Sequence, residues 1–257
     1  MTRRISRTCT GVGGISVGVI LAVYALCYGA PLLLTGGLLL PYQAHVPGGR
    51  VIALTFDDGP DPVYTPQVLA VLARYDATAT FFVLGRHVDV YPDLVCQIVA
   101  AGHRLGNHSY SHTILRWAGP GEIAGELDRT DAALVRAAGV RTRLFRHPGG
   151  MQGLFLPFRT AARGWRVVVW SVDPRDYAHP GANEIAQRVL AEAHPGAIVL
   201  LHDGSPDGDE SRAQTVAALP VILEGLRGRG YRFVGVTTED RMGPPDGVHL
   251  TASHSGR

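Results

Sequence analysis

The stretch VIALTFDDGPDP, residues 51–62, decides how the rest of the chain is read. From Val51 to Phe56 its side chains are apolar except for one threonine, as in a strand buried on both faces of a parallel sheet. Two adjacent carboxylates, Asp57 and Asp58, then precede Gly59 and Pro60, where a turn is expected. Taken alone, the pair reads as a loop acid in water and a helix N-cap. Its neighbours along the chain change that reading.

Further apolar runs predict strands at 79–83, 104–107, 143–145, 166–172, 197–201 and 231–236. Between them lie the helical patterns TPQVLAVLARYD, DLVCQIVAAG, GEIAGELDRTDAALVRAAG, NEIAQRVLAEA and TVAALPVILEGLRGRG, several closed by glycine. Strand and helix in alternation mean a largely parallel α/β sheet. In a parallel barrel the functional groups gather at the carboxyl ends of the strands. That rule brings together Asp57 and Asp58, His108 and His112, Arg146, Asp173 and Asp176, and His202, each following a different strand.

The segment NHSYSH, residues 107–112, spaces His108 and His112 four apart, which on a helical turn sets both imidazoles on one face. By itself H-x-x-x-H is commonly polar surface. With one carboxylate added it becomes a favourable shell for zinc, in which three protein ligands leave positions for water. Neighbouring residues at a strand end point in different directions. One of Asp57 and Asp58 can therefore bind a metal while the other stays free as a base, and a cation lowers the pKa of a water it holds towards ~7.

Composition bounds the alternatives. The 257 residues are 46% apolar and 18% charged, enough to build a sizeable core. The net charge of +2, with no basic stripe interleaved with aromatics, argues against a nucleic-acid partner, and no segment calls for a protein partner. All 24 basic side chains are arginine, which reflects base composition more than chemistry. Cys9 and Cys27 lie near the amino terminus and leave Cys96 alone, so no disulfide within the main domain is expected.

The amino terminus carries Arg3, Arg4 and Arg7 in residues 1–10, followed by an uncharged, mainly apolar run over 11–40. That run exceeds the ~20 residues of a membrane-crossing helix. With no further arginine until Arg50, it predicts a signal anchor with the rest of the chain outside the cytoplasm. Cleavage as a signal peptide, giving a secreted protein, is the rival. Residues 41–49 read as a linker, 50–238 as the main domain and 239–257 as a loose polar tail.

The motifs TFDDGP, HSYSH, the arginine of FRHPGG, WSVDPRDY and LLH resemble, in order, the five motifs of the polysaccharide deacetylase family, the NodB-homology domain or carbohydrate esterase family 4. The likeness covers residues 50–236. It implies a distorted (β/α) barrel and metal-dependent removal of an N-acetyl group from a sugar. Carried over by position, Asp58, His108 and His112 would hold one divalent ion, zinc first, with cobalt or nickel as alternatives. Asp57 would be the general base and Arg146 would orient it. His202 would be the general acid, with Asp176 favouring its imidazolium. Trp170 and Leu200 would line the acetyl pocket, with a backbone N–H near Gly149 facing the oxyanion. Gly149 stands where the family usually has an aromatic, and Tyr177 where it usually has tryptophan, so both bear on substrate preference.

Other polar residues read more plainly. His45, His87, His103, His194, His249 and His254 are expected at the surface, His147 and His179 are candidates for substrate contact, and Asp173 either binds substrate or caps a turn. The expected substrate is an N-acetylated glycan, with cell-wall peptidoglycan first. Two alternatives stand beside it: an acetyl-xylan-type esterase using the same site, and an inactive glycan-binding surface protein.

Overall fold

The computed structural model describes residues 42–150, 156, 160 and 162–238. The expected anchor over 11–40 and the tail from 239 lie outside these. Among the described residues, no helix is long and apolar enough to cross a membrane.

The strands are β1 (Tyr42–Gln43), β2 (Val51–Asp57), β3 (Ala79–Val83), β4 (Arg104–Asn107), β5 (Leu144–Phe145), β6 (Arg166–Val168), β7 (Ile198–His202) and β8 (Arg232–Phe233). Helices α1 (Tyr64–Arg74), α2 (Gly85–Val90), α3 (Pro92–Ala100), α4 (Pro120–Ala138), α5 (Ala182–Glu192) and α6 (Ala213–Gly228) connect them. The sheet runs β1-β6-β5-β4-β3-β2-β7, with β8 beside the start of β2, and every pairing between strands is parallel. It curls into a half-barrel. On the far side, β7 meets the segment after β6 through a single bridge, Val172 to Val199.

The expected strand over 166–172 is thus divided. Val169 gives its N–H to Gln43 on β1, whereas Ser171 and Val172 give theirs to Ile198 on β7. The chain changes partners at Trp170, where the sheet turns its corner.

Strand β2 is buried throughout because β3 and β7 flank it within the sheet and side chains cover both its faces. Its period of two separates two cores. Ile52, Leu54 and Phe56 pack outward with α1 and α6, whereas Val51 and Ala53 face the interior with Phe82, Ile198 and Trp170. Thr55 and Asp57 continue the inward row. On β7, Ile198 likewise faces inward while Val199 and Leu201 pack outward, so Leu200 and His202 share the interior side. Parallel register then sets Asp57 opposite His202 at the carboxyl edge.

Helix ends follow local chemistry. Helices α3 and α4 begin with proline, whose missing N–H costs nothing in a first turn. The far end of α4 is closed by Gly139 in the left-handed region, φ 67°.

Candidate active site

The double aspartate is divided by the backbone. Asp57 keeps strand geometry and points inward, while Asp58 has φ 71° and turns its carboxylate elsewhere. A non-glycine residue in that region costs on the order of 1–3 kcal/mol and persists only where its surroundings dictate it. Three contacts do so: Asp58 O accepts from His87 Nδ1 at 2.9 Å, Gly59 O from Leu84 N–H at 2.9 Å, and Asp57 O from Asp203 N–H at 3.2 Å. His87, expected at the surface, is therefore half-buried against this turn.

His108 and His112 converge, but not on a helix. They occupy an irregular loop after β4 in which Ser109 and His112 have φ 69° and 64°. Glu126 of α4 holds this loop, accepting the N–H groups of Tyr110 and Ser111 at 2.8 Å each and the Ser111 hydroxyl at 3.0 Å. Ser109 Oγ accepts the N–H of His112 at 3.0 Å. A loop, rather than 3.6-residue periodicity, brings the imidazoles together.

Donor atoms of Asp58, His108 and His112 all lie within 4.8 Å of one another. Asp58 Oδ1 is 3.4 Å from His108 Nε2 and 3.3 Å from His112 Nε2. Although buried, it accepts no aligned hydrogen bond. His108 Nδ1 is 2.8 Å from the Arg146 carbonyl, which places a proton on Nδ1 and turns Nε2 towards the cluster. One carboxylate oxygen and two imidazole nitrogens converging in this way fit a divalent cation. Burial would raise Asp58, but His108, by close contact and charge, and then His202 hold it well below the ordinary carboxylate range. Burial chiefly pushes His112 down to about 4, keeping that imidazole neutral.

Asp57 sits 3.8 Å from His108 Nε2 through Oδ2, while its Oδ1 accepts from Arg146 Nη1 at 2.7 Å. Arg146 is 1% exposed. The same Nη1 also reaches Thr55 Oγ1 at 2.7 Å, and that hydroxyl gives its proton to Val199 O at 2.6 Å. The guanidinium lies 4.1 Å from the Phe82 ring centre and 5.6 Å from that of Trp170. Hydrogen bonds and ring faces together fix its plane, so it can hold one carboxylate orientation.

His202 Nδ1 lies 2.7 Å from Asp176 Oδ1, leaving Nε2 for substrate. Burial opposes charge on this imidazole, yet Asp176, with Asp58 and Asp57 beyond it, raises it to about 9. Asp176 would itself rise on burial, but His202 pulls it below the ordinary value. An acid protonated at neutral pH thus stands across the strand pair from an arginine-bound carboxylate.

The expected pocket residues are distributed around this cluster. Leu200 is buried on the interior face, two residues before His202. Gly149 has φ 65° and is followed by Gly150 at 60°, over which the Trp170 ring packs. Tyr177 is 44% exposed, its ring 5.7 Å from that of His202 at 79°.

Of four further polar residues, His103 departs from its expectation of exposure. His103 is buried rather than exposed, its Nδ1 accepting Ala79 N–H at 3.3 Å, and burial lowers its pKa. His147 is buried with neither ring nitrogen hydrogen-bonded, and burial, then the charges of His108 and Arg146, push it down to about 3. Asp173 caps a turn, accepting the Arg175 N–H at 2.9 Å. His179 is exposed and lies 3.7 Å from Glu210.

Comparison with known proteins decides the family. The polysaccharide deacetylase model matches residues 44–154. A chitooligosaccharide deacetylase of Bradyrhizobium sp. is 43% identical over 197 residues, spanning 73% of this chain and 90% of that one. The chain belongs to the polysaccharide deacetylase family. A second relative, a peptidoglycan-N-acetylglucosamine deacetylase of Bacillus cereus, is 45% identical over 192 residues, 73% of this chain and 87% of that one. Among solved structures, the Bc1960 peptidoglycan N-acetylglucosamine deacetylase superimposes with a TM-score of 0.72 at 32% identity, over 77% of this chain and 91% of that one. As a member of that family the chain is a glycan deacetylase.

Sequence reasoning missed Thr55, Glu126, Asp203 and Thr215. Thr55 had a signal, since it lies two residues before Asp57 on the same strand face. The others had none, because their partners lie 15 to 138 residues away.

Proposed function

We propose that this enzyme removes N-acetyl groups from a cell-wall glycan, with peptidoglycan as the leading substrate. The observation that carries the reading is the cross-strand pairing of Asp57 and His202, one bound to Arg146 and the other to Asp176, beside a three-donor cluster. Amide hydrolysis needs a base, an acid for a poor leaving group, and stabilisation of the oxyanion.

Asp58, His108 and His112 would hold the divalent ion, with zinc favoured by one carboxylate and two imidazoles, and cobalt or nickel accepting the same set. Such an ion supplies Lewis acidity, acidifying water and polarising a carbonyl. Asp57, kept in one orientation by Arg146, accepts the proton of the attacking water. His202 carries a proton at neutral pH and delivers it from Nε2 to the departing amine. Leu200 and Trp170 enclose the acetyl methyl, the backbone N–H near Gly149 faces the oxyanion, and Tyr177 walls the sugar.

The amino-terminal sequence supports a site outside the cytoplasm and close to the membrane. A linker of nine residues, 41–49, spans at most ~32 Å. Newly made wall strands or lipid-linked sugars would lie within reach. The relatives named for peptidoglycan and chitooligosaccharide support the substrate class.

The test is acetate release by the purified full chain with added Zn²⁺ from peptidoglycan, chitooligosaccharides and acetylated xylan, with Asp57→Asn as control. Release from peptidoglycan that falls at least ~100-fold in the control is expected. Preference for xylan would replace the reading with an acetyl esterase. No release from any of the three by a folded, metal-loaded chain would favour a glycan-binding protein.

A further inference from the structure

We propose that Thr215, at the start of helix α6, is a positioning residue for the proton donor, acting on His202 through Asp176. The inference rests on the reading of His202 as the general acid. Thr215 is fully buried, and its hydroxyl gives its single proton to Asp176 Oδ2 at 2.9 Å. The same oxygen accepts the backbone N–H of His202 at 2.9 Å, while Oδ1 receives His202 Nδ1–H at 2.7 Å. With both oxygens engaged, rotation of the carboxylate breaks bonds on each side. The imidazole plane is thereby fixed, and Nε2 keeps one direction.

The neighbouring residue reinforces this. Gln214 Nε2 donates to the Asp176 carbonyl at 3.3 Å, and its Oε1 accepts Gly181 N–H at 2.8 Å. The short turn Asp176–Ala178 is flanked by Arg175 and His179, both non-glycine residues with positive φ, 56° and 54°. Such a turn holds only when surrounding contacts dictate it. The first turn of α6 provides them, from 38 and 39 residues away. A valine of nearly the same shape would fill the site yet leave Asp176 Oδ2 with the His202 N–H as its one donor, so the carboxylate loses the bond that ties it to α6 and is held less firmly.

The experiment compares Thr215→Val and Thr215→Ser in the full chain, with His202→Ala as reference, measuring kcat and KM for acetate release and the low-field proton resonance of His202 Nδ1–H. The valine variant is expected to lower kcat about tenfold, the effect of one hydrogen bond to a charged group, with KM unchanged and the resonance shifted or broadened. Serine restores both. Thr215→Ala carries the same expectation if the valine variant does not fold. Wild-type kcat and resonance in the valine variant, or equal loss in the serine variant, overturn the proposal. If His202→Ala retains activity, the general-acid reading itself fails and takes the inference with it. If His202→Ala is inactive while valine behaves as wild type, the positioning role alone is overturned.

Discussion

His202 illustrates how one residue's chemistry depends on a single partner. Its ordinary value of 6.5 is raised to about 9 although burial opposes charge, because Asp176 is 2.7 Å away. A raised histidine contributes stability that is complete below pH 6.5 and lost as pH rises through about 9. Asp176, depressed by the same contact, contributes stability present above its ordinary 3.8 and lost as pH falls through its lower folded value. Asp176→Asn removes the nearest charge and leaves only the more distant Asp58 and Asp57 against burial, so the His202 pKa drops towards 6.5. A pH–rate profile of acetate release should show the alkaline limb moving to lower pH and kcat falling ~100-fold. An unmoved limb would mean that another group supplies the proton.

At the scale of elements, the loop after β4 that carries His108 and His112 depends on α4 rather than on its own sequence. Glu126 takes two backbone N–H groups and a hydroxyl from residues that lie between the two histidines. Glu126→Ala leaves those donors unpaired and lets His108 and His112 separate. Zinc affinity measured by calorimetry should fall ~10–100-fold, as for other residues that orient ligands, while far-ultraviolet circular dichroism stays unchanged. Unaltered affinity would show that the loop holds its shape without α4. The sequence showed α4 to within a residue at each end, since its helical pattern and glycine stop are local signals. It misread the histidine pair as a helical turn because H-x-x-x-H carries the same spacing in a loop. The strand over 166–172 was legible in its apolar run, but the change of partner at Trp170 was not.

For the whole molecule, the half-barrel collects groups from β2, β4, β5 and β7 at one edge, where the carboxylates of Asp57 and Asp58 lie against Arg146 and the histidines. A divalent ion held by Asp58, His108 and His112 would bind the folded state alone, because only the fold brings the three donors together. Adding Zn²⁺ at about 100-fold over its Kd should stabilise the fold by ~2.7 kcal/mol, read as a rise in Tm. The rise should vanish in His108→Ala. An equal rise in that variant would place the ion elsewhere.

Read alone, the sequence determined the alternating parallel architecture and the identity of the motif residues, because apolar runs and adjacency are local properties. Tertiary structure decided the rest. The positive φ of Asp58 turns it away from Asp57 under contacts from His87, Leu84 and Asp203. Asp203 itself, pushed up to about 7 chiefly by burial, accepts from Thr65 across 138 residues of chain. Burial and pairing between residues so far apart are set only when the sheet closes over them, and a sequence pattern does not record them.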